Sequence, residues 1–175
     1  MNDIQKEYKR WLLNATKDSD LTSELKQMSN MQKEDAFYRN LSFGTGGLRG
    51  VIGAGTNRIN IYTIAKASLG LANYLNKHYE KPSVVIGYDS RNKSDLFAQT
   101  AAGIFASSGI HVYIYSCLLP VPCVSYGVRH LKASAGVMIT ASHNPSIYNG
   151  YKVYGDDGCQ ITTNAADEIL AEIES

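Results

Sequence analysis

A serine on a loop punctuated by asparagine, proline and glycine offers this chain its most distinctive chemistry. Thr140-Ala141-Ser142-His143-Asn144-Pro145 is entered from the apolar run Gly136-Val137-Met138-Ile139 and followed by Asn149-Gly150-Tyr151-Lys152. A free serine hydroxyl is a poor nucleophile, so an enzyme that uses one must deprotonate it or supply it already phosphorylated. His143 stands beside Ser142 and Lys152 lies ten positions on, a setting suited to a serine that carries a phosphoryl group. Upstream, Gly44, Gly46 and Gly47 precede Arg49. Glycines let a backbone approach an anion closely, and arginine can bridge phosphate oxygens in bidentate fashion. Phosphoryl transfer brings two anions together and needs cations between them. Arg49 and Lys152 are the candidates.

Each of these residues also has a plainer reading. Serine, asparagine and proline abound in turns because they bond locally to backbone. His143 reads equally as a polar loop residue, Lys152 as a strand-end lysine facing water, and Gly44–Gly47 as an ordinary turn. The G-x-x-x-x-G-K-[ST] spacing of a Walker loop is absent, and so is the G-x-S-x-G elbow of a serine hydrolase. A hydrolase relay also needs a base oriented by a third group, and no such partner is evident for His143.

Taken together, three segments resemble the α-D-phosphohexomutases, the family of phosphoglucomutase and phosphomannomutase. They are Phe43-Gly44-Thr45-Gly46-Gly47-Leu48-Arg49-Gly50, Gly87-Tyr88-Asp89-Ser90-Arg91 and the Thr140–Pro145 loop, in the family's order. The resemblance runs from about Ser42 to Ile161. It implies that Ser142 is the phosphorylated serine, with His143 contacting phosphate or assisting proton transfer and Arg49 facing the phosphoserine. Lys152 would supply a second cation. Thr45, Gly46, Arg49, Ser142, His143, Asn144 and Lys152 become the expected phosphate- and substrate-binding set. The Asp89–Arg91 turn is expected to brace the loops around the site rather than to react, and Asp157 to mark a tight turn.

The same resemblance implies a hexose 1-phosphate/6-phosphate interconversion, with glucose favoured and a pentose phosphate next. Glucose 1,6-bisphosphate would be the intermediate and activator, and Mg²⁺ would be bound through the phosphate on Ser142. The D-G-D-x-D-R metal loop and the later sugar-binding segments of the family are absent from this sequence. The chain is therefore expected to be the family's first domain alone, partnered by the remaining domains of a longer polypeptide and inactive by itself as a mutase. A non-catalytic sugar-phosphate-binding module is the alternative from another class.

Composition sets the outer limits. With 175 residues, 44% apolar and 19% charged, the chain suits one soluble domain. A formal net charge of +1 with scattered lysines and arginines gives no footprint for nucleic acid or an anionic membrane. No run approaches the roughly 20 apolar residues of a membrane span, and no signal-peptide core precedes the charged start, so a cytoplasmic location is expected. Cys117, Cys123 and Cys159 are odd in number and lack C-x-x-C spacing. Buried or semi-buried free thiols are expected.

The elements that must position Ser142 can be read from periodicity. Ile4, Tyr8, Trp11 and Leu12, then Leu21, Leu25 and Met28, predict a helical extension over residues 1–41, with a turn and helix start at Thr16–Asp20. After the glycine-rich segment Gly44–Gly55, residues 42–175 alternate helix and strand. A helix carries Ile61, Ile64, Ser68, Leu71, Ala72, Leu75 and Tyr79 on one face, and Val84–Asp89 is a strand. A second helix holds Phe97, Ala101, Ile104 and Phe105, a strand spans His111–Ser116, and a short helix spans Pro120–His130. Gly136–Thr140 is a buried strand, with Tyr151–Tyr154 as an edge or antiparallel neighbour. The tail reads as a helix of about two turns, capped within Thr162–Asn164. The expected fold is a three-layer α/β/α domain with a mixed, mostly parallel sheet, and Asp89 and Ser142 both fall at carboxyl ends of strands, where such sheets bind ligands.

Overall fold

Apolar residues at helical spacing near the start fold as expected. In the computed structural model, which describes residues 3–174, they lie on α1 (Asp3–Asn14), α2 (Ser19–Gln27) and α3 (Asn30–Phe37). Asp18 caps α2 by accepting the Asp20 and Leu21 N–H groups, and Ser29 with Gln32 forms a capping box on α3. Trp11 packs edge-on against Phe37 and Tyr62 at 5.7 and 5.4 Å between ring centroids. These helices bury a small apolar cluster of their own around Trp11, Leu21, Leu25 and Phe37, closed by Ala54, Ile61 and Tyr62 of the following segment.

The remaining elements are β1 (Phe43–Gly44), β2 (Gly47–Val51), α4 (Ile61–His78), β3 (Ser83–Tyr88), α5 (Ser94–Ser107), β4 (His111–Ile114), α6 (Val121–Leu131), β5 (Ala135–Ile139), β6 (Tyr148–Tyr154) and α7 (Thr163–Glu174). The strands form one sheet in the order β1-β2-β6-β5-β3-β4. β3 pairs in parallel with β4 and β5, whereas β6 is antiparallel to both β5 and β2. β2 therefore runs with β3, β4 and β5. The sheet is mixed with most of its strands pointing one way, as the alternating pattern implied.

Helices α4, α5 and α7 cover one face over the main core, which includes Leu71, Ile86, Phe97, Val137 and Ile139. Each such fully buried side chain contributes about 1.5–3 kcal/mol of transfer free energy. On the other face α6 packs over β3 and β5 through Val124 and Val128. The result is three layers. Because α6 reaches β3 and β5, the β2–β6 end of its face is left for the side chains of those two strands.

Several details depart from the expectation. Tyr151–Tyr154 pairs antiparallel with β5, one of the two expected arrangements, but it is interior rather than an edge, because β2 pairs with its other side in the register Leu48↔Tyr151 and Arg49↔Gly150. Within the glycine-rich segment Gly44–Gly55, Phe43↔Leu48 and Gly44↔Gly47 close a hairpin around Thr45–Gly46. Gly47 takes a φ of +76°, and a Cβ there would sit 1.8 Å from the Tyr151 carbonyl oxygen. That position needs a glycine against β6. α7 starts at Thr163, longer than two turns, and Thr162 caps it through Oγ1. The three cysteines are free, but Cys117 and Cys159 are exposed and Cys123 only half-buried. Cys117 and Cys159 lie in surface turns, and Cys123 is near the start of α6. Asp157 marks a tight turn as expected, accepting the Cys159 N–H at 2.8 Å.

This packing has two measurable consequences. Gly47→Ala is expected to destabilise the chain by on the order of 2 kcal/mol or more, from left-handed strain plus the clash with β6, read as a lower denaturant midpoint. The second concerns the docked helices. Arg10 holds the Glu7 carboxyl below its ordinary value; Asp18, which burial alone would raise, is also held low, by Lys93 and two backbone N–H groups. Their stabilisation is present above the ordinary values of 4.5 and 3.8 and is lost as pH falls through the lower folded values. Glu24 shifts the other way through burial, so its contribution is lost as pH rises through its folded value above 4.5. The single tryptophan, Trp11, is 7% exposed. Its emission should shift red as pH falls below about 4, and a spectrum unchanged down to complete unfolding would contradict this.

Candidate functional site

β5 is buried along its whole length and ends at Ile139, level with Tyr88 at the end of β3 and Tyr151 on β6. The chain then has to turn back within eight residues to begin β6 at Tyr148. Ser142 lies in this turn, exposed, with a φ of +57°. A non-glycine residue in the left-handed region costs roughly 1–2 kcal/mol. Such strain persists where the surroundings over-determine it, and it concentrates at functional loops. Here the Ser142 N–H donates to Thr140 Oγ1 at 2.9 Å, and the Asn144 and Tyr148 N–H groups close on the Ala141 and Pro145 carbonyls.

What over-determines the turn is Arg91. Its guanidinium donates to the carbonyl oxygens of Ser142 and Asn144, both at 2.7 Å, and of Pro145 and Tyr148, both at 3.1 Å. Asp89 orients it: one carboxylate oxygen lies 3.7 Å from Arg91 Nε, and the other accepts the Arg91 N–H and the Ser94 hydroxyl at 3.0 Å each. The far end of the loop is pinned by Asn149, fully buried. Its amide donates to the Asn92 carbonyl at 3.0 Å and to Ser94 Oγ at 2.9 Å. The Asp89–Arg91 turn thus braces the Ser142 loop, the part assigned to it from the sequence.

Arg49 reaches the same loop. It is exposed on β2, and its Nη1 donates to Asn144 Oδ1 at 3.1 Å. A guanidinium has five N–H donors, so this bond leaves most of them for an anion. Arg49 pairs with Gly150, two residues before Lys152 on β6. The two-residue period of a strand therefore places Arg49 and Lys152 on one face of the sheet, opposite Leu48 and Tyr151. That is the end of the face beyond α6. Tyr151 is fully buried, its phenol oxygen accepting from Ser68 at 3.0 Å, which fixes the strand that presents Lys152. Burial drives the Tyr151 hydroxyl pKa well above its ordinary value, so it acts as a neutral anchor.

His143 Nδ1 lies 3.4 Å from Ser142 Oγ, too long for a strong hydrogen bond. No carboxylate among the described residues orients the ring, so the pair is not a hydrolase relay. Ser142, His143, Asn144 and Arg49 come together, with Lys152 on the adjoining strand face. Thr45 and Gly46 do not join them. They form the hairpin turn at the start of β2, and β2 runs from there toward the Ser142 end of the sheet. Among the described residues no three histidine, cysteine, aspartate or glutamate side chains cluster where they could hold a metal ion. No described helix is long and apolar enough to cross a membrane.

Sequence reasoning passed over Asn149, Ser94 and Thr140. Asn149-Gly150 looked like turn punctuation, and only the fold shows its amide directed inward. A polar residue at the start of a buried strand was the available signal.

Residues 40–175 match the model of the phosphoglucomutase/phosphomannomutase α/β/α domain I. The chain belongs to that family. It is 45% identical over 164 residues to phosphoglucomutases of Staphylococcus aureus, among them those of strains RF122 and USA300, a match covering 94% of this chain. It spans about 30% of the length of these relatives. A crystal structure from Thermus thermophilus, described as a phosphomannomutase, superposes with a TM-score of 0.72 at 35% identity. It covers 77% of this chain and 30% of that one. A Paramecium phosphoglucomutase, parafusin, shares the fold at 20% identity with a TM-score of 0.61, covering 77% of this chain and 26% of its own.

Arg91→Ala is expected to cost about 2–4 kcal/mol, since it leaves several loop carbonyls without their donor. Arg91→Lys should recover only part of that, because an ammonium cannot span the same carbonyls. Denaturant unfolding of the two variants checks both the size and the order.

Proposed function

We propose that this chain is the phosphoserine-bearing domain of a sugar-phosphate mutase, with Ser142 as the phosphoryl carrier and a glucose phosphate as the favoured substrate. The observation that carries the reading is the Ser142 turn itself. Its hydroxyl is exposed on a backbone held in a left-handed conformation, beside Arg49, whose guanidinium retains free donors. The family relationship adds support, since the curated relatives are phosphoglucomutases.

In this reading, phosphorylated Ser142 donates to a free hydroxyl of a sugar monophosphate. The bond from phosphorus to Ser142 Oγ breaks and a bond to the sugar oxygen forms. The sugar hydroxyl gives up its proton and Oγ regains one, with His143 near enough to take part. Arg49 and Lys152 balance the charge that gathers between the two phosphates. The product of this half is a 1,6-bisphosphate, and return of its other phosphate to Ser142 completes the interconversion. A pentose phosphate substrate stands as the alternative.

Mg²⁺, when bound, would neutralise charge on the transferring group; the one contact this chain would offer it is a phosphoryl oxygen on Ser142. No step above depends on it. Thr45 and Gly46, at the hairpin turn of β2, would bind the substrate's phosphate from the other side of Arg49. Sugar selection and full turnover belong, on this proposal, to the longer polypeptide in which such a domain sits.

Incubation with glucose 1,6-bisphosphate followed by peptide mapping tests the reading. Wild type should acquire one phosphoryl group on Ser142 and Ser142→Ala none. Arg49→Ala should slow the uptake by roughly 100-fold or more, the range for losing one charge-stabilising donor. Phosphate on another residue, or none with the sugar bisphosphate still bound, would favour a binding module instead.

A further inference from the structure

Between Arg91, which grips the Ser142 loop, and Ser94, which binds Asn149, the chain passes through Lys93. Among the described residues Lys93 bonds through its ammonium to neither the loop nor the sheet. Its φ is +60°, so the backbone is held in the left-handed region without glycine, and its ammonium is turned toward the N-terminal helices. There it meets Asp18 at 3.1 Å and Asp20 at 3.0 Å. Asp18 is nearly buried at 9% side-chain exposure, also caps α2, and lies in the turn joining α1 to α2. Burial acts against the charge on both Asp18 and Lys93, yet the pairing holds Asp18 below and Lys93 above its ordinary pKa.

The geometry points to Lys93 as a positioning residue: we infer that the N-terminal helices set the conformation of the Ser142 loop through the Asp18–Lys93–Asp20 ion pairs. The connection is short and continuous. Asp18 and Asp20 fix the ammonium, the left-handed turn at Lys93 fixes the direction in which Arg91 and Asn92 enter from one side and Ser94 leaves on the other, and these residues fix both ends of the loop. Of residues 91–94, Lys93 is the one that bonds to the extension among the described residues. The strain of its backbone, which glycine would relieve, is retained where the side chain is needed for the pairing. The helical extension thereby acquires a part in the phosphoryl chemistry. That last link rests on the reading of Ser142 as the phosphoryl carrier.

Amide hydrogen exchange and phosphoryl uptake, measured on the same chain, test the inference separately. Lys93→Met and Lys93→Gly both remove the ammonium, but the glycine variant keeps the left-handed turn without strain, which offsets part of the cost of leaving Asp18 unpaired. Both should exchange the Ser142, Asn144 and Tyr148 amides roughly five- to thirtyfold faster, as for a local loss of one to two kcal/mol. The amides of β3 and β5 should stay as slow as before. Asp20→Asn, at an exposed carboxylate, should give a smaller change in the same direction, and Lys93→Arg should restore wild-type exchange. Slower phosphoryl uptake by Ser142 in the methionine and glycine variants, recovered in Lys93→Arg, would complete the case. Faster exchange confined to α1 and α2, with the loop amides unchanged, would overturn the inference and leave Lys93 a fastener of the extension. If wild type shows the expected exchange pattern but takes up no phosphate, the phosphoserine reading fails and the coupling of extension to loop stands.

Discussion

An arginine guanidinium carries five N–H donors and no acceptor, and Arg91 directs its own at one reversing turn of backbone. The Ser142, Asn144, Pro145 and Tyr148 carbonyls all converge on it. Such a turn, at the end of a buried strand and partly away from water, would otherwise leave its carbonyl groups to solvent and its conformation undetermined. The charge cannot be absorbed without a counterion, which Asp89 provides from the end of β3. Because β3 and β5 are neighbours in parallel, Asp89 and the loop emerge side by side at the same end of the sheet. The sheet topology therefore decides that a carboxylate, an arginine and a serine meet. The side chains only complete the arrangement.

This constraint explains why Ser142 can hold a left-handed backbone. The strain is small beside several charge-assisted hydrogen bonds, so the loop need not rearrange to present its hydroxyl. Preorganisation of this kind suits chemistry in which positioning and charge neutralisation supply most of the effect. On the proposed reading Arg49 and Lys152 would add the cations, from strands that are rigid for a different reason. β6 is an interior strand, fixed by β2 and β5 on its sides and by the buried Tyr151–Ser68 bond beneath.

Much of this was legible in the sequence, and the limits of legibility have physical causes. Helices α4 and α5 and strands β3 and β5 announced themselves because each buries a periodic apolar face or a continuous apolar run. Ser142, Arg49 and Lys152 could be picked out by residue type and motif, and the bracing part of Arg91 by resemblance. The position of β6 inside the sheet was not readable, since it depends on β2, a strand of glycine, leucine, arginine and valine that looks like a loop. For the same reason the hairpin turn that holds Thr45 and Gly46 was not readable. The Lys93 pairing joins residues 75 positions apart through an exposed charge, and no local pattern marks it.

The central claim is that the Ser142 turn is set before any sugar phosphate arrives. The backbone ¹⁵N order parameter of Ser142, measured by NMR relaxation on the ligand-free chain, tests this most directly. A value near 0.85, like that of rigid backbone and equal to its neighbours in β5, is the result expected of a turn locked by Arg91. A value below about 0.6 would show a mobile loop that the Arg91 bonds do not hold, and would contradict the account.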